Sequence, residues 1–282
     1  MRSCLTVVAG LKSASGLIII SGNSQTNSPR SLTAWPTRSQ QPLNSEIAIA
    51  PFRLFIMTQT VESEPGEIYD IELDENLKRA NDLIAEENRR QLHSHGVCAI
   101  DVMGSVGSGK TSLIEQLVRL LKERHRIAAF KGDLTSKIDS ERIESLGIQT
   151  VQINTGRECH LDANLVRKAL GKLDLTTLDL IFIENVGNLI CPADFPLGSD
   201  KRVVVISVTE GPYMVVKHPF IFADADVAVI NKIDLAHPMG VDTSKLAGDV
   251  RNINAGVSVV LANCRSGEGA KEVASALGIG LG

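Results

Sequence analysis

Short apolar runs alternate with helical segments along most of the 282-residue chain. The apolar runs predict seven buried strands: Val97–Val102, Ile127–Phe130, Thr150–Ile153, Leu180–Ile183, Val203–Val208, Val227–Ile230 and Val257–Leu261. Helices are predicted between them: Ser112–Lys122, Ser140–Ser145, Leu161–Leu170, Thr243–Asn252 and Ala270–Leu277. Because strands that alternate with helices usually pair in parallel, the pattern predicts an α/β fold with a mostly parallel sheet covered by helices on both faces.

The first 57 residues differ from the rest of the chain in charge and composition. They contain five basic residues and one acid, are rich in Ser, Thr, Gln, Asn and Pro, and show no sustained apolar period. We predict that residues 1–57 are a disordered or non-native N-terminal extension and that Met57 opens the folded protein. A transit or signal-like sequence is the alternative, since both kinds of segment avoid acids.

Apolar residues recur at helical spacing, amid charges, between Glu72 and His93. They are Leu73, Leu77, Ala80, Leu83 and Ile84. The spacing predicts an amphipathic helix. We therefore expect residues 58–95 to contribute this helix, packed on one domain formed by residues 96–282.

Composition excludes several classes of protein. A hydrophobic content of 43% is too high for a chain that is disordered throughout. With 29 Lys and Arg against 33 Asp and Glu, the charge gives no reason to expect nucleic acid or a membrane surface as a partner. No apolar run approaches the roughly 20 residues that span a bilayer. The five cysteines are odd in number and widely spaced, which fits a cytoplasmic protein with free or metal-binding thiols.

A phosphate-binding loop of the form G-x-x-x-x-G-K-[ST] lies between the first predicted strand and the first helix after it. It consists of Gly104, Ser105, Val106, Gly107, Ser108, Gly109, Lys110 and Thr111, followed by Ser112. Its glycines let successive N–H groups face phosphate oxygens at the positive end of a helix. Lys110 supplies a cation for the β- and γ-phosphates, and the Thr111 hydroxyl is a ligand for Mg²⁺. The order of strand, loop and helix favours nucleotide binding over a plain glycine-rich turn.

A second motif, Asn231-Lys232-Ile233-Asp234, follows a predicted strand and indicates which base is bound. The Asp234 carboxylate can accept hydrogen bonds from N1–H and the exocyclic amine of guanine, whereas adenine would leave it unpaired. A site built for such hydrogen bonds rejects the wrong base by about 10⁴-fold or more. The loop at Cys264 lies where guanine-binding folds place another base contact, although a surface turn explains it equally well.

Acidic residues at the ends of strands are candidates for the magnesium site. Glu184 ends one predicted strand, and Asp133 follows another, so both are expected at the edge where such sheets bind ligands. We predict that Thr111, Asp133 and Glu184 hold Mg²⁺ and that Lys110, Asp133 and Glu184 are catalytic. Gly187 is expected to donate its N–H to the γ-phosphate. Asp139 is a weaker candidate, which an ordinary solvated acid explains as well.

Softer ligands occur elsewhere, at Cys159, His160 and Cys191. Thiolate and imidazole suit Zn²⁺ or Ni²⁺ rather than Mg²⁺. Three donors without a C-x-x-C pair do not make a closed structural zinc site, and spacing alone is compatible with ordinary buried cysteines. Because Cys159 and His160 lie on a predicted turn and Cys191 follows the candidate magnesium ligand, we predict a nickel or zinc site. A symmetric dimer would bring two such sets together.

The motifs together resemble the HypB family of GTPases, which help insert nickel into [NiFe]-hydrogenase. The resemblance extends from Leu73 to the C-terminus and rests most strongly on Glu158-Cys159-His160-Leu161-Asp162-Ala163 and on Glu184-Asn185-Val186-Gly187-Asn188-Leu189-Ile190-Cys191-Pro192. It implies a P-loop NTPase of the SIMIBI type that hydrolyses GTP to GDP and phosphate. Because the sequence identifies no arginine supplied across the interface, we expect this turnover to be slow. It also implies a GTP-promoted homodimer with Cys159, His160 and Cys191 as interfacial metal ligands. The implied partners are a HypA-type nickel chaperone and the hydrogenase large subunit.

Some features of the family are missing from the sequence, and other functions stay open. Before His93 the chain has Cys4 and no histidine, so it lacks the Cys-rich or His-rich N-terminal nickel motifs of some members. A urease-type nickel-insertion GTPase is the nearest alternative, but its Cys-Pro-His ligand string is Cys191-Pro192-Ala193 here. A nucleotide-gated metal scaffold without turnover and a small-molecule kinase are further alternatives. The donor atoms do not decide between nickel and zinc.

Overall fold

The computed structural model describes residues 71–133, 142–143, 145–156 and 159–280, together with two short strands near the N-terminus. The chain divides into two units, Met1–Val61 and Glu62–Gly282. In the first unit, β1 (Lys12–Ser13) and β2 (Gly16–Leu17) pair antiparallel. The predicted extension 1–57 otherwise lies outside the described residues. In the described part of the second unit, helices and strands alternate, while the predicted helix Ser140–Ser145 lies mostly outside the described residues.

A seven-stranded parallel sheet forms the centre of the second unit. Its strands are β3 (Cys98–Gly104), β4 (Ile127–Asp133), β5 (Gln149–Asn154), β6 (Leu180–Glu184), β7 (Lys201–Ser207), β8 (Val227–Asn231) and β9 (Ser258–Leu261). Their order across the sheet is β5-β4-β6-β3-β7-β8-β9. From β3 the chain skips one position to β4 and continues to the edge strand β5, then returns to place β6 between β4 and β3, and finally adds β7, β8 and β9 on the other side of β3. Ligands of such sheets bind at the carboxyl ends of the strands, next to the strand where the order reverses.

Both faces of the sheet are covered because both faces of its strands are apolar. Along β3, Ile100 and Val102 enter one core, while Ala99 and Met103 enter cores on the opposite face. The helices that cover the sheet are α1 (Ile71–Ser94), α2 (Lys110–Leu121), α3 (Ala163–Leu170), α4 (Met214–Lys217), α5 (Phe220–Ala223), α6 (Thr243–Ile253) and α7 (Ala270–Ala276). Four 3₁₀ turns lie among them: Leu175–Thr177, Cys191–Asp194, Val208–Glu210 and Ile233–Leu235. None of these helices has the length and apolar character needed to cross a membrane.

The buried side of α1 differs from the one that the apolar spacing suggests. Leu77 and Leu83 are 55% and 70% exposed, whereas Asn81, Ala85, Asn88 and Leu92 are buried at helical spacing. Two of these are asparagines that bind backbone groups: Asn81 donates to Pro196 O at 2.8 Å, and Asn88 donates to Ala163 O at 2.8 Å and to Leu197 O at 3.1 Å. The spacing of apolar residues does not reveal this face, because two of its four buried side chains are polar asparagines.

Candidate functional site

The phosphate loop curls around the lysine side chain. Lys110 is buried, and its ammonium donates to Gly104 O at 3.1 Å and to Ser105 O at 3.0 Å. Gly109, just before α2, has a φ of +109°, and a Cβ there would lie 2.1 Å from the Asn231 side chain. Only glycine therefore allows the loop and the second motif to approach this closely.

Asn231, at the end of β8, joins the phosphate loop to the base-binding motif. Its amide donates to Ser108 O at 2.7 Å, and its side-chain oxygen accepts from the N–H groups of Lys232 and Cys264 at 2.8 and 2.9 Å. Lys232 has a φ of +59°, which turns the chain sharply before Asp234. The two motifs are thus fixed to each other by one buried side chain.

These contacts surround a cavity of about 650 Å³ at the carboxyl edge of the sheet. From the loop it is lined by Val106, Gly107, Gly109, Lys110, Thr111 and Ser112. The predicted residues Glu184, Gly187, Asn231, Lys232 and Asp234 line it as well. The predicted residues Gly104, Ser105 and Ser108 do not line it; their carbonyl oxygens accept hydrogen bonds from Lys110 and Asn231. The volume and the convergent polar groups suit a nucleotide.

Cys264 does not line the cavity, contrary to the sequence-based prediction. Its side chain is 2% exposed and belongs to the hydrophobic core, where burial raises its pKa to about 12. Its neighbours Asn263 and Arg265 line the cavity instead. The loop is therefore at the expected place, but the cysteine side chain turns away from it because it is apolar enough to be buried.

The two described magnesium-ligand candidates are in direct contact. The Thr111 hydroxyl donates to a carboxylate oxygen of Glu184 at 2.6 Å, and both residues are buried. The backbone of Asp133 ends β4 at the same edge, and Asp139 lies outside the described residues. Hard oxygen donors gathered at this point are the ligands that Mg²⁺ prefers.

Two charged residues near the loop were missed in the sequence. Lys131 is buried, pairs in register with Glu184 and lines the cavity. Glu210 accepts from the Ser105 hydroxyl at 2.6 Å and from the Ser207 N–H at 3.1 Å, and burial raises its pKa. Lys131 lies inside β4 and Glu210 lies three residues after β7, so neither stands at the end of a strand, where the acidic candidates were sought.

A buried carboxylate supports the loop that follows Glu184. Asp101, inside β3, is fully buried, and this burial raises its pKa to about 6, although Arg202 and the amide of Asn185 oppose the shift. Asn185 donates to Asp101 at 3.3 Å and accepts from the Leu161 N–H at 3.1 Å. Leu161 directly follows His160, and Asn185 directly follows Glu184. The Asn185 side chain therefore connects the end of β6 to the segment that carries Cys159 and His160.

The structure brings the three predicted soft ligands together. Ligand atoms of Cys159, His160 and Cys191 all lie within 4.8 Å of one another. The two sulfur atoms are 3.1 Å apart, and Cys159 Sγ is 3.8 Å from His160 Nδ1. The hydrogen bond to Cys191 raises the pKa of the Cys159 thiol. Cys159 is exposed, and the other two are half-buried.

Local packing sets the orientation of these ligands. The His160 ring stacks on Phe195, with ring centroids 4.0 Å apart. Asp162 caps α3 by accepting from the Leu165 N–H, which ends the segment that carries Cys159 and His160. Cys191 begins a 3₁₀ turn in which Pro192 is buried. The three donors therefore lie on two short segments at one surface of the protein.

Comparison with known proteins places the chain in a family. The model of the CobW/HypB/UreG nucleotide-binding domain matches residues 98–261, which include the phosphate loop, the Asn231–Asp234 motif and the three soft ligands. The probable hydrogenase maturation factor HypB of Methanocaldococcus jannaschii is 51% identical over 203 residues, covering 72% of this chain and 92% of that protein. The chain belongs to the HypB family. The hydrogenase/urease maturation factor HypB of Helicobacter hepaticus is 35% identical over 197 residues, covering 68% and 81%.

Solved HypB structures have the same architecture. HypB from Archaeoglobus fulgidus superposes with a TM-score of 0.68 at 44% identity, over 72% of this chain and all of that one. HypB from Helicobacter pylori, solved in complex with nickel, superposes with a TM-score of 0.66 at 30% identity, over 70% and 93%. The predicted P-loop NTPase fold and the predicted HypB family are thereby confirmed.

Proposed function

We propose that this HypB-family protein hydrolyses GTP and uses the reaction to control a nickel or zinc ion held by Cys159, His160 and Cys191. Its cellular role would be to assist nickel insertion into [NiFe]-hydrogenase. The observation that carries the proposal is that two thiols and an imidazole meet beside a P-loop cavity that also contains a guanine-type motif. The nickel-bound homologue supports nickel as the cargo.

In the nucleotide site, each residue has a task set by its position. Lys110 would turn its ammonium from the loop carbonyls to the phosphates, where it neutralises charge that develops on the oxygen between the β- and γ-phosphorus atoms. Gly187 would donate its N–H to the γ-phosphate. Asp133, at the end of β4, would orient the water that attacks the γ-phosphorus atom. Asp234 would bind the guanine edge.

A magnesium ion fits the contact between Thr111 and Glu184. The two oxygen atoms lie 2.6 Å apart, and both side chains are buried at the cavity. Thr111 and Glu184, with Asp133 at the same edge, would hold Mg²⁺. The ion supplies charge neutralisation for the triphosphate. Turnover is expected to be slow, because no arginine is assigned to act across an interface.

The soft-ligand site suits a cargo ion that must leave again. Three donors leave coordination positions open, and they lie at the surface, where a receiving protein can approach. We propose that GTP promotes a symmetric homodimer that brings two such sets together. The proposed partners are a HypA-type nickel chaperone and the hydrogenase large subunit.

Product analysis tests the enzymatic part of the proposal. Purified protein with Mg²⁺ is incubated with GTP or ATP, and free phosphate and nucleotide are quantified. We expect phosphate from GTP, with ATP at least about 10²-fold less effective. Asp234→Ala should lose this preference, whereas Asp249→Ala, which removes a half-buried acid on α6 that pairs with Lys245, should retain it. A phosphorylated acceptor would indicate a kinase, and no turnover at all would indicate a nucleotide-gated scaffold.

Metal titration tests the cargo part. Nickel and zinc are titrated into the wild type and into Cys191→Ala with GDP or a GTP analogue bound, and the mass of the particle is measured by sedimentation. We expect Cys191→Ala to reduce the metal stoichiometry, and Cys98→Ala, a half-buried cysteine in β3, to leave it unchanged. Unchanged stoichiometry in Cys191→Ala would remove this residue from the site. A monomer in every nucleotide state would exclude the dimer.

A urease role is a second candidate, because the H. hepaticus relative is named a hydrogenase/urease maturation factor. Cys191-Pro192 is followed by Ala193 here, so the Cys-Pro-His string of the urease-type GTPase is incomplete. Complementation of strains that lack nickel insertion into either enzyme distinguishes the two recipients. We expect rescue of hydrogenase activity. Rescue of urease activity alone would favour the second candidate.

A further inference from the structure

One side chain contacts both segments that carry the soft ligands. The Asn188 amide donates to the backbone carbonyl of Cys159 at 3.2 Å. Its side-chain oxygen accepts from the Ile190 N–H at 2.9 Å. Ile190 is the residue before Cys191. A single half-exposed amide therefore bonds to one cysteine's own backbone and to the backbone next to the other cysteine.

The backbone of the same residue is bonded to the phosphate loop. The Asn188 N–H donates to Gly104 O at 3.1 Å, in an isolated antiparallel bridge between the two residues. That carbonyl is also one of the two that the Lys110 ammonium contacts, at 3.1 Å. Beside it, a Cβ on Gly187 would lie 2.9 Å from the backbone nitrogen of Val106. The segment before Asn188 thus lies directly against the loop that holds the phosphates.

These contacts form a short path from the phosphates to the thiols. If Lys110 turned to a bound triphosphate, Gly104 O would lose a charged donor and keep the Asn188 N–H as its partner in this path. A change at that carbonyl therefore acts on Asn188 directly. The Asn188 side chain then passes this change to the backbone of Cys159 and to Ile190, the residue that precedes Cys191, because it is hydrogen-bonded to both.

Asn185 bonds to the same ligand segment but differs in its surroundings. It is fully buried and is held by Asp101, and it contacts the Leu161 N–H rather than a cysteine. Its bonds involve the sheet core and not the phosphate loop. Asn185 lines the nucleotide cavity, but its hydrogen bonds do not reach the phosphate loop, whereas Asn188 bonds to the loop through its own N–H.

We propose that Asn188 is the positioning residue that transmits the nucleotide state to the spacing and orientation of Cys159 and Cys191. This inference rests on the proposed function, since it presumes that nucleotide and metal binding are coupled. Coupling free energy is reciprocal, and typical couplings change affinity by about 5- to 150-fold. The quantity that Asn188 should control is the ratio of metal affinities in the two nucleotide states, not the presence of the site.

The experiment measures zinc affinity of the full chain with GDP and with a non-hydrolysable GTP analogue. Four proteins are compared: the wild type, Asn188→Ala, Asn188→Asp and Asn164→Ala. Asn188→Asp keeps an acceptor for the Ile190 N–H but loses the donor to Cys159 O. Asn164→Ala is the matched control, because its amide oxygen contacts Arg167 within α3.

We expect the wild type and Asn164→Ala to differ between nucleotide states by about 5-fold or more. In Asn188→Ala and Asn188→Asp the two affinities should agree within about 2-fold, while one zinc still binds per three-ligand set in the GDP form. A residue that only stabilised the fold would weaken zinc binding in both states and leave the ratio unchanged. If Asn188→Ala does not fold, Asn188→Asp carries the test.

The possible outcomes distinguish a failure of the proposed role of Asn188 from a failure of the proposed coupling between nucleotide and metal binding. A wild type with equal zinc affinity in both states would overturn the coupling in the proposed function, and this inference with it. A coupled wild type with equally coupled Asn188 variants would overturn this inference alone. Retained coupling in Asn188→Asp but not in Asn188→Ala would also overturn it, since the bond to Cys159 would then not carry the effect.

Discussion

The nucleotide site and the soft-ligand site lie at the same edge of the sheet but are built differently. The phosphate loop is one continuous segment, and its Lys110 and Thr111 side chains are buried. The soft ligands come from two segments. Cys159 and Cys191, whose thiols are hydrogen-bonded, are 32 positions apart in the sequence, and Cys159 is exposed. The phosphate loop is a single segment held by buried contacts from neighbouring strands, whereas the soft-ligand site depends on how two segments at the surface meet.

This difference fits the different tasks that we propose for the two sites. A triphosphate is bound by many N–H groups that must already be in place, so a rigid buried loop is suited to it. An ion that is handed on needs few ligands and an open approach. The comparison predicts that a substitution in the phosphate loop leaves Cys159, His160 and Cys191 close together. A substitution in the buried strand that supports both segments is expected to affect the nucleotide site and the soft-ligand site alike.

The largest effect is expected from Lys110→Ala. Removing the only loop cation that we assign to the phosphates should lower kcat/KM for GTP by about 10³-fold, since one lost transition-state contact typically costs 10²- to 10³-fold. Zinc stoichiometry should be retained. The control is Lys122→Ala, whose ammonium contacts Leu146 O instead. If zinc binding disappears in a folded Lys110→Ala protein, the two sites are not built independently.

Asp101→Asn tests the layer beneath both sites. The pKa of Asp101 is raised to about 6 in the folded protein, above the ordinary aspartate value of 3.8, so the folded state binds the proton more tightly. The free energy of unfolding therefore falls as pH rises from about 4 to about 6. We expect Asp101→Asn to be more stable than the wild type by up to about 3 kcal/mol at pH 7, and no different at pH 4.

Urea unfolding between pH 3 and pH 8 measures this difference. Asp179→Asn is the control of opposite sign, because Arg126 lowers the pKa of Asp179 to about 2. Its carboxylate stabilises the folded protein above pH 4, and that contribution is lost as pH falls towards 2. If the free energy of unfolding of Asp101→Asn and that of the wild type changed equally with pH between 4 and 6, Asp101 would not be desolvated as described.

Thiol alkylation should distinguish the soft ligands from the buried cysteines. Burial raises the pKa of Cys98 to about 11 and that of Cys264 to about 12, which leaves little of the reactive thiolate at pH 8. We expect Cys159, which is exposed, to react with iodoacetamide about 10²-fold faster than Cys264. Peptide mass spectrometry follows each cysteine, and bound zinc should protect Cys159 and Cys191 only. Equal rates for Cys159 and Cys264 would contradict the described burial.

The smallest effect concerns α1. Asn88→Ala removes the donor to two backbone carbonyls and should lower the free energy of unfolding by about 1–2 kcal/mol. Leu83→Ala should change it by less than about 0.5 kcal/mol, because that side chain is largely exposed. Chemical denaturation compares the two variants. If Leu83→Ala lowered the free energy of unfolding more than Asn88→Ala, the buried face of α1 would be the one that the apolar spacing predicts.

Much of the fold and the nucleotide site followed from short-range patterns. Strand and helix alternation, and the glycines around Lys110, concern residues near one another in sequence, so their geometry is a local property. Glu210 and Lys131 escaped notice because their contacts, to Ser105 and beside Glu184, join different strands. Cys264 was misplaced because a loop's position does not reveal which way its side chains turn.

The amino-acid order by itself determined the parallel sheet, the phosphate loop and the identity of the soft ligands, because each depends on residue type and local spacing. Only the tertiary structure decided that Cys159 and Cys191 touch, that asparagines hold α1, and that Asn188 bonds to both the loop and the cysteine segments. Such contacts join segments that are distant along the chain, and their distances are fixed by how the whole sheet and its helices pack.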